Sequence, residues 1–280
     1  MLERIDRVLV TARDAGAVAA RFVELLDAAV DHTDTIDILN AHRYTLRLGD
    51  SAIEILEPKG PGAIADHIDS GRGGPFAAGV ATRNIHAVRR RLAEHGIVTT
   101  TIGPEQHYVC GERMGIDGLN LVISQSTNRK RVGLLENLYE VTHLTASADA
   151  SAERFAQLFG LEQRHFVPIE SKQYGYRGFL TLFNPAALHR IETIHPFDAD
   201  KTMGRFFSRF GPSLYMCYGE TDRLGELRDR LQALAPRDWT GSDDNDDGLF
   251  IHPKALGGLM VGVSRTSYAW TWSGHPERVA

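Results

Sequence analysis

The sequence predicts an α+β protein assembled from four βαβββ modules, and three observations support that prediction. Residues 52–80 (AIEILEPKGPGAIADHIDSGRGGPFAAGV) and 190–218 (RIETIHPFDADKTMGRFFSRFGPSLYMCY) follow one plan: an apolar strand with one acid, a proline, a helix, and a Gly-Pro step into another strand. Glu54 precedes Ala77 by 23 residues and Glu192 precedes Tyr215 by the same 23, a spacing that argues for internal duplication. The order strand, helix, three strands also restarts every ~70 residues, so four modules account for residues 1–265.

Residues 5–12 (IDRVLVTA) alternate charged and apolar positions like a half-buried strand, and AGAVAARFVELLDA places its large apolar residues at helical spacing. Strands are expected at 35–39, 43–48 and 52–56, with Gly49-Asp50 as a turn. After a short helix near 63–68, the second module runs through PFAAGVAT, the helix IHAVRRRLAEHG, VTTTI, HYVCGERM and GLNLVISQ. Residues 126–137 read as a polar, basic linker, in which LLE could extend a strand or a short helix. The third module comprises LYEVTHLTA, the helix ASAERFAQLFG, QRHFVPI, GFLTLF and HRIETI. The fourth comprises SLYMCYGE, the helix LGELRDRLQAL, the turn-rich TGSDDNDDG, LFIHP and GLMVGVSR. The expected organisation is an N-terminal domain over 1–125, a linker over 126–137, a C-terminal domain over 138–265 and a tail over 266–280. In the tail, Trp270 and Trp272 are expected to cover a sheet edge or a cavity mouth.

Composition narrows the function classes. With 280 residues, 42% hydrophobic and 24% charged, the chain has the make-up of a soluble globular protein. The opening MLERIDRVLV places charge where a signal peptide needs an apolar core, and no apolar run approaches the ~18 residues of a membrane span, which points to the cytoplasm and away from membrane partners. A formal net charge of −5 gives no general attraction to nucleic acid. The runs Arg89-Arg90-Arg91 and Arg129-Lys130-Arg131 are too short to reverse that, and read as a solvated helix face and part of the linker. Cys110 and Cys217 fall at non-corresponding positions, so neither a disulfide framework nor a zinc spacing is available, and both are expected as small core residues. The expected partner is a small-molecule substrate; a homodimer is compatible with this pattern.

IEILEP, GRGGPFAAGV, HAVRRRLAEHGI and FIHPKALGGLMVGV together resemble the vicinal oxygen chelate superfamily, especially its methylmalonyl-CoA epimerase branch beside glyoxalase I. The doubled length resembles the two-domain extradiol dioxygenases, and the likeness covers nearly the whole chain. The resemblance implies that each pair of modules curls into an incomplete barrel around a cavity, with one metal ligand from each of four strands. Those positions fall on Arg7, Glu54, Ala77 and Val122 in the first half, and on His143, Glu192, Tyr215 and Gly262 in the second. Their spacings are 47, 23 and 45 residues against 49, 23 and 47. Ala77, Val122 and Gly262 offer no donor and Arg7 would repel a cation, so no metal is expected in the N-terminal domain, where Arg7 and Glu54 should form an ion pair. In the C-terminal domain His143 and Glu192 are two donors. A divalent ion there requires Tyr215 as phenolate, or help from His195, His252 or substrate.

Three functions are compatible with these residues. The first is an isomerase, epimerase or lyase that abstracts a proton beside a carbonyl. Glu192 would be the base, its pKa raised by burial, with His143 and Tyr215 donating hydrogen bonds to the enolate oxygen. Cys217, Gly262, Met260, Tyr176 and Trp270 would line the substrate: strand alternation puts Tyr215 and Cys217 on one face, and Gly262 leaves space beside them. The second is a metal-free, drug-type binding protein, supported by the lost ligands and by Tyr174, Tyr176, Phe179, Trp270 and Trp272. The third is a divergent metal-dependent dioxygenase, which needs two histidines and a carboxylate where only one histidine stands. His195 and His252 read as solvated turn residues before proline, and His165 and His189 as core or rim.

Overall fold

The computed structural model describes residues 2–241 and 247–280; the central part of the expected turn TGSDDNDDG, 242–246, lies outside the described residues. The first half comprises β1 (Arg4–Thr11), α1 (Ala15–Leu26), β2 (Ala29–Ile36), β3 (Ala41–Leu48), β4 (Ser51–Pro58), α2 (Ala63–Asp69), β5 (Gly74–Thr82), α3 (Ile85–Glu94), β6 (Thr100–Gly103), β7 (Gln106–Val109), α4 (Gly111–Met114) and β8 (Leu121–Gln125). The second comprises β9 (Asn137–Leu144), α5 (Ala148–Phe159), β10 (Val167–Ser171), β11 (Tyr176–Leu182), β12 (Arg190–Pro196), α6 (Thr202–Phe210), β13 (Ser213–Thr221), α7 (Leu224–Leu234), β14 (Trp239–Thr240), β15 (Gly248–Ile251) and β16 (Met260–Arg265). Each half forms one curled mixed sheet of eight strands, in the orders β2-β3-β4-β1-β5-β8-β7-β6 and β10-β11-β12-β9-β13-β16-β15-β14. The two orders are the same topology, as the duplication requires.

Local chemistry fixes the module starts. Asp14 accepts a hydrogen bond from the Ala17 amide at 2.8 Å and caps α1, and Ser147 accepts one from Ala150 at 3.3 Å and caps α5. Helix α1 buries Ala15, Ala19, Phe22, Leu25 and Leu26, three to four residues apart, and each large side chain contributes about 1.5–3 kcal/mol by leaving water. Gly160 ends α5 at φ 64°, a conformation that costs glycine nothing sterically.

Several local expectations change. The strand expected at 35–39 lies earlier, at Ala29–Ile36, followed by a 3-10 turn at Asp37–Leu39; β2 is an exposed edge strand, so its polar AVDHTDTI hides the apolar alternation. The GERM end of HYVCGERM is a helical turn, and Gln163–His165 is a 3-10 turn rather than strand. Cys110 is only half-buried where it precedes α4, whereas Cys217 is fully buried. Arg91, expected on a solvated face, donates from Nη2 to the Gln157 carbonyl at 2.7 Å and ties α3 to the end of α5. LLE adds no element: Leu134 and Leu135 are buried in the core.

One hydrophobic cluster runs under the helix-covered faces of both sheets, through Val8, Val10, Ile53 and Ile55 in the first half and Val141, Ile191, Cys217 and Val261 in the second. The opposite faces are concave. In the first half that face is filled: Leu9, Leu56, Phe76, Ala77 and Val122 cluster together, and beside them Arg7 and Glu54 make the expected ion pair. Arg7 also meets Asp6 at 2.8 Å, while Arg43 reaches Glu54 at 3.3 Å, Asp34 at 2.5 Å and the Gln106 amide oxygen at 2.8 Å. Among the described residues no helix is long and apolar enough to cross a membrane.

Candidate active site in the second half

Two bulges decide which side chains enter the second concave face. In β9 the register against β13 shifts between the Tyr218–Glu140 and Gly219–Leu138 pairs, so Tyr139 is the extra residue; in β1 the same shift makes Asp6 the extra residue. Glu140 therefore takes the place of Arg7, each seven residues before its helix cap, Ser147 or Asp14. The neighbouring register agrees, since Thr142 stands opposite Glu192 as Leu9 stands opposite Glu54. A second bulge, between Leu214 and Met216, makes Tyr215 the extra residue of β13, as Phe76 is in β5.

The resulting cavity has two lobes that share Tyr176, Glu192, Tyr218 and Phe250. The larger lobe, about 530 Å³, is walled by Glu140, Glu170 and Asp247 and by the rings of Tyr268 and Trp272. The smaller, about 290 Å³, is walled by Lys201, Tyr215, Met216, His252 and Met260. The Tyr218 ring meets Phe250 edge-on at 5.8 Å between centroids, and Tyr215 meets Phe206 of α6 edge-on at 5.1 Å. The tail closes the larger lobe: Trp270 packs with Tyr139 in a small buried cluster. In the first half the linker takes that place, Arg129 reaching Asp6 at 3.3 Å.

Charge is concentrated on β9 and β12. Arg190 is fully buried; its Nε donates to Glu140 Oε2 at 2.5 Å and its Nη1 to the Leu188 carbonyl at 3.1 Å, while its guanidinium lies 5.0 Å from the Tyr139 ring centroid. Thr142 Oγ1 donates to Glu192 Oε2 at 2.5 Å. Burial pushes both carboxyls up, and the negative charge of Glu140 raises Glu192 further, to about 8, against the opposing Thr142 hydrogen bond and Arg190. Because Arg190 directly holds Glu140 as a carboxylate, the proton that this pair keeps near neutrality rests on Glu192. Burial also raises the Tyr218 and Tyr176 phenols, which therefore stay protonated and able to donate.

The structure brings Glu192, Tyr215, Tyr176 and Met260 to this cavity. It does not bring His143, which follows Thr142 and so points to the opposite face, where its Nε2 lies 2.8 Å from the Asp117 carbonyl of the first half. Burial lowers its pKa to about 4, so it is a neutral imidazole. Cys217 is likewise in the helix-side core, because the bulge at Tyr215 breaks the alternation that would have paired them on one face. Gly262 borders no open space: the Tyr218 ring lies over it, and a Cβ there would overlap the ring. Trp270 is buried behind the wall, and Trp272 lines the lobe instead. His195 is half-buried near the Thr145 carbonyl at 3.2 Å, and His252 lines the smaller lobe. The sequence reading missed Glu140, Thr142, Tyr218, Phe250 and Tyr268. The equal distance of Glu140 and Arg7 from their capping residues was the available signal for the first of these.

The donors do not suit a resident divalent ion. In the first half the guanidiniums of Arg7 and Arg43 hold Glu54. In the second, the four equivalent strand positions carry Glu140, Glu192, Met216 and Gly262; one carboxylate is held by Arg190, and thioether and glycine give no hard donor. Among the described residues no three of His, Cys, Asp and Glu are grouped to hold an ion.

No family model matches the chain, and no curated protein matches it. Solved structures do. A mutant of 4-hydroxymandelate synthase from Streptomyces coelicolor is similar over 94% of this chain and 92% of its own, at 12% identity and a TM-score of 0.66. BphC, a halotolerant catechol dioxygenase, is similar over 95% of this chain and 87% of its own, at 13% identity and a TM-score of 0.59. Methylmalonyl-CoA epimerase from Mycobacterium tuberculosis matches 47% of this chain and 89% of its own, at 21% identity and a TM-score of 0.39. With its four βαβββ modules paired into two curled sheets, the chain has the two-domain fold of the vicinal oxygen chelate superfamily.

Proposed function

We propose that the second half is the catalytic one, and that it acts as an isomerase, epimerase or lyase, moving a proton next to a carbonyl group of a small organic substrate. The observation that carries this reading is Glu192, a nearly buried carboxyl that borders both lobes, with one oxygen held by Thr142 and the other without a hydrogen-bond partner among the described residues. A carboxyl whose pKa is pushed to about 8 populates both protonation states near neutrality, which suits a group that takes a proton from carbon and returns it elsewhere. Tyr218 and Tyr176 border the same junction and remain phenols, so they can donate to the oxygen on which enolate charge develops. These two take the role the sequence reading gave to His143, and Tyr215 assists from the smaller lobe.

Glu192→Gln keeps the shape and removes the base. Substrate binding should persist while turnover falls on the order of 10²-fold or more. Unchanged turnover would make the carboxyl structural and end this reading. The aromatic wall formed by Tyr176, Tyr218, Phe250, Tyr268 and Trp272 favours a second reading, a metal-free binding protein, which predicts tight binding of a small molecule with no turnover at all. A dioxygenase would need two histidines and a carboxylate on the metal, and the four equivalent strand positions supply only two carboxylates, one of them engaged by Arg190.

A further inference from the structure

We propose that the substrate bears an organic cation, a protonated amine or quaternary ammonium group, and that the larger lobe receives it. The inference rests on the catalytic reading above only for where the reacting carbon lies, beside Glu192. Among the described residues, every charged side chain lining this lobe is a carboxyl: Glu140, Glu170, Glu192 and Asp247. The guanidiniums that pair with two of them, Arg190 and Arg265, are not part of the lining. Glu170 has no cationic partner among the described residues, so the lobe keeps an unbalanced negative charge even with Glu192 protonated.

The rings reinforce the sign. Guanidiniums already sit over the neighbouring rings of Tyr139, Trp270 and Tyr268, at 5.0, 4.7 and 4.9 Å from their centroids. Among the described residues none covers Tyr176, Tyr218, Phe250 or Trp272, whose aromatic surfaces line the cavity. Electron-rich rings set beside carboxylates recognise alkylammonium groups by cation–π attraction, and such a wall disfavours an anion. The smaller lobe has a cationic side chain of its own, Lys201, with the hydroxyls of Thr202 and Thr240. A substrate whose cationic end enters the larger lobe and whose carbonyl or acidic end enters the smaller one therefore places its middle at Glu192.

Calorimetric titration of the protein with benzyltrimethylammonium, benzyl alcohol and benzoate, three probes alike in their ring, tests the inference without a known substrate. The cation should bind on the order of tenfold tighter than the neutral alcohol, with benzoate weakest. Trp272→Leu should weaken cation binding several-fold, and Glu170→Gln, at an exposed position that does not endanger folding, should weaken it by a smaller factor. Loss of turnover is read in Glu192→Gln and loss of cation selectivity in Trp272→Leu and Glu170→Gln, so the two failures are separate outcomes. Benzoate binding as tightly as the cation, no cation binding, or equal cation affinity in all variants would each overturn the inference.

Discussion

Glu54 and Glu192 occupy the same strand position in the two halves, and their removal should have opposite effects on stability. Glu54 is 1% exposed and accepts from both Arg7 and Arg43. The network around it balances Asp6, Asp34 and Glu54 against Arg7, Arg43 and Arg129. Glu54→Gln leaves one uncompensated buried positive charge. Breaking a buried pair costs about 3–5 kcal/mol, and because Arg7 keeps Asp6 and Arg43 keeps Asp34, the low end, about 3 kcal/mol, is expected. That corresponds to roughly 6 °C or more in Tm for a chain of this size. Glu192 is the reverse case. Its folded pKa lies above its unfolded value, so the native state holds a proton that the unfolded chain releases, and stability falls as pH rises from about 4.5 to about 8. Glu192→Gln removes that loss, so it should stabilise, and more at pH 9 than at pH 6, by on the order of 2–3 kcal/mol for the two pH units between 6 and 8. Urea unfolding of both variants at the two pH values, followed by tryptophan fluorescence, measures this directly. If Glu54→Gln leaves the midpoint unchanged, or Glu192→Gln destabilises at pH 9 as strongly as Glu54→Gln, the division into a structural and a functional carboxyl is wrong.

Two further outcomes follow from the packing. Gly262→Ala should displace the Tyr218 ring from the junction of the lobes, costing about 1–3 kcal/mol by overpacking and weakening ligand binding at both lobes; wild-type affinity in a folded variant would refute that placement. His143→Phe should lower stability by removing the contact with the Asp117 carbonyl while leaving ligand affinity and turnover near wild type. Because burial depresses the His143 pKa to about 4, its neutral form contributes stability that is present above about pH 6.5 and lost as pH falls towards 4, so the variant should show a flatter acid limb in unfolding.

The repeat made most of the fold legible. The acid-to-strand spacing nearly recurs because the duplicated units keep almost the same helix and turn lengths, and both sheets have one strand order. Glu54 stands 22 residues before the bulged Phe76 and Glu192 stands 23 before the bulged Tyr215, one residue off the match of Ala77 with Tyr215. What stayed hidden was decided by single inserted residues. The bulges at Tyr139 and Tyr215 each reverse which side chain enters the cavity, and a period-2 argument cannot locate them. Imidazole is a common metal ligand, which makes His143 conspicuous in the sequence, yet Glu140, three residues before it, holds the place equivalent to Arg7. Tyr218 was missed for another reason: its role depends on Gly262 lying beside it in the register of β13 and β16, a long-range pairing that local sequence does not express. Glu192 was found because it lies on a regular part of β12, where alternation holds.

The protonation state of Glu192 tests the account most directly, since it requires neither substrate nor partner. Infrared difference spectroscopy of wild-type protein against Glu192→Gln, stepped from pH 5 to pH 10, reads the carbonyl stretch of a protonated carboxyl. A band belonging to Glu192 that persists at pH 7 and is lost with a midpoint near pH 8 is the predicted result. A carboxylate already ionised at pH 6 would contradict it, and with it the assignment of a poised proton-transfer group to the second half.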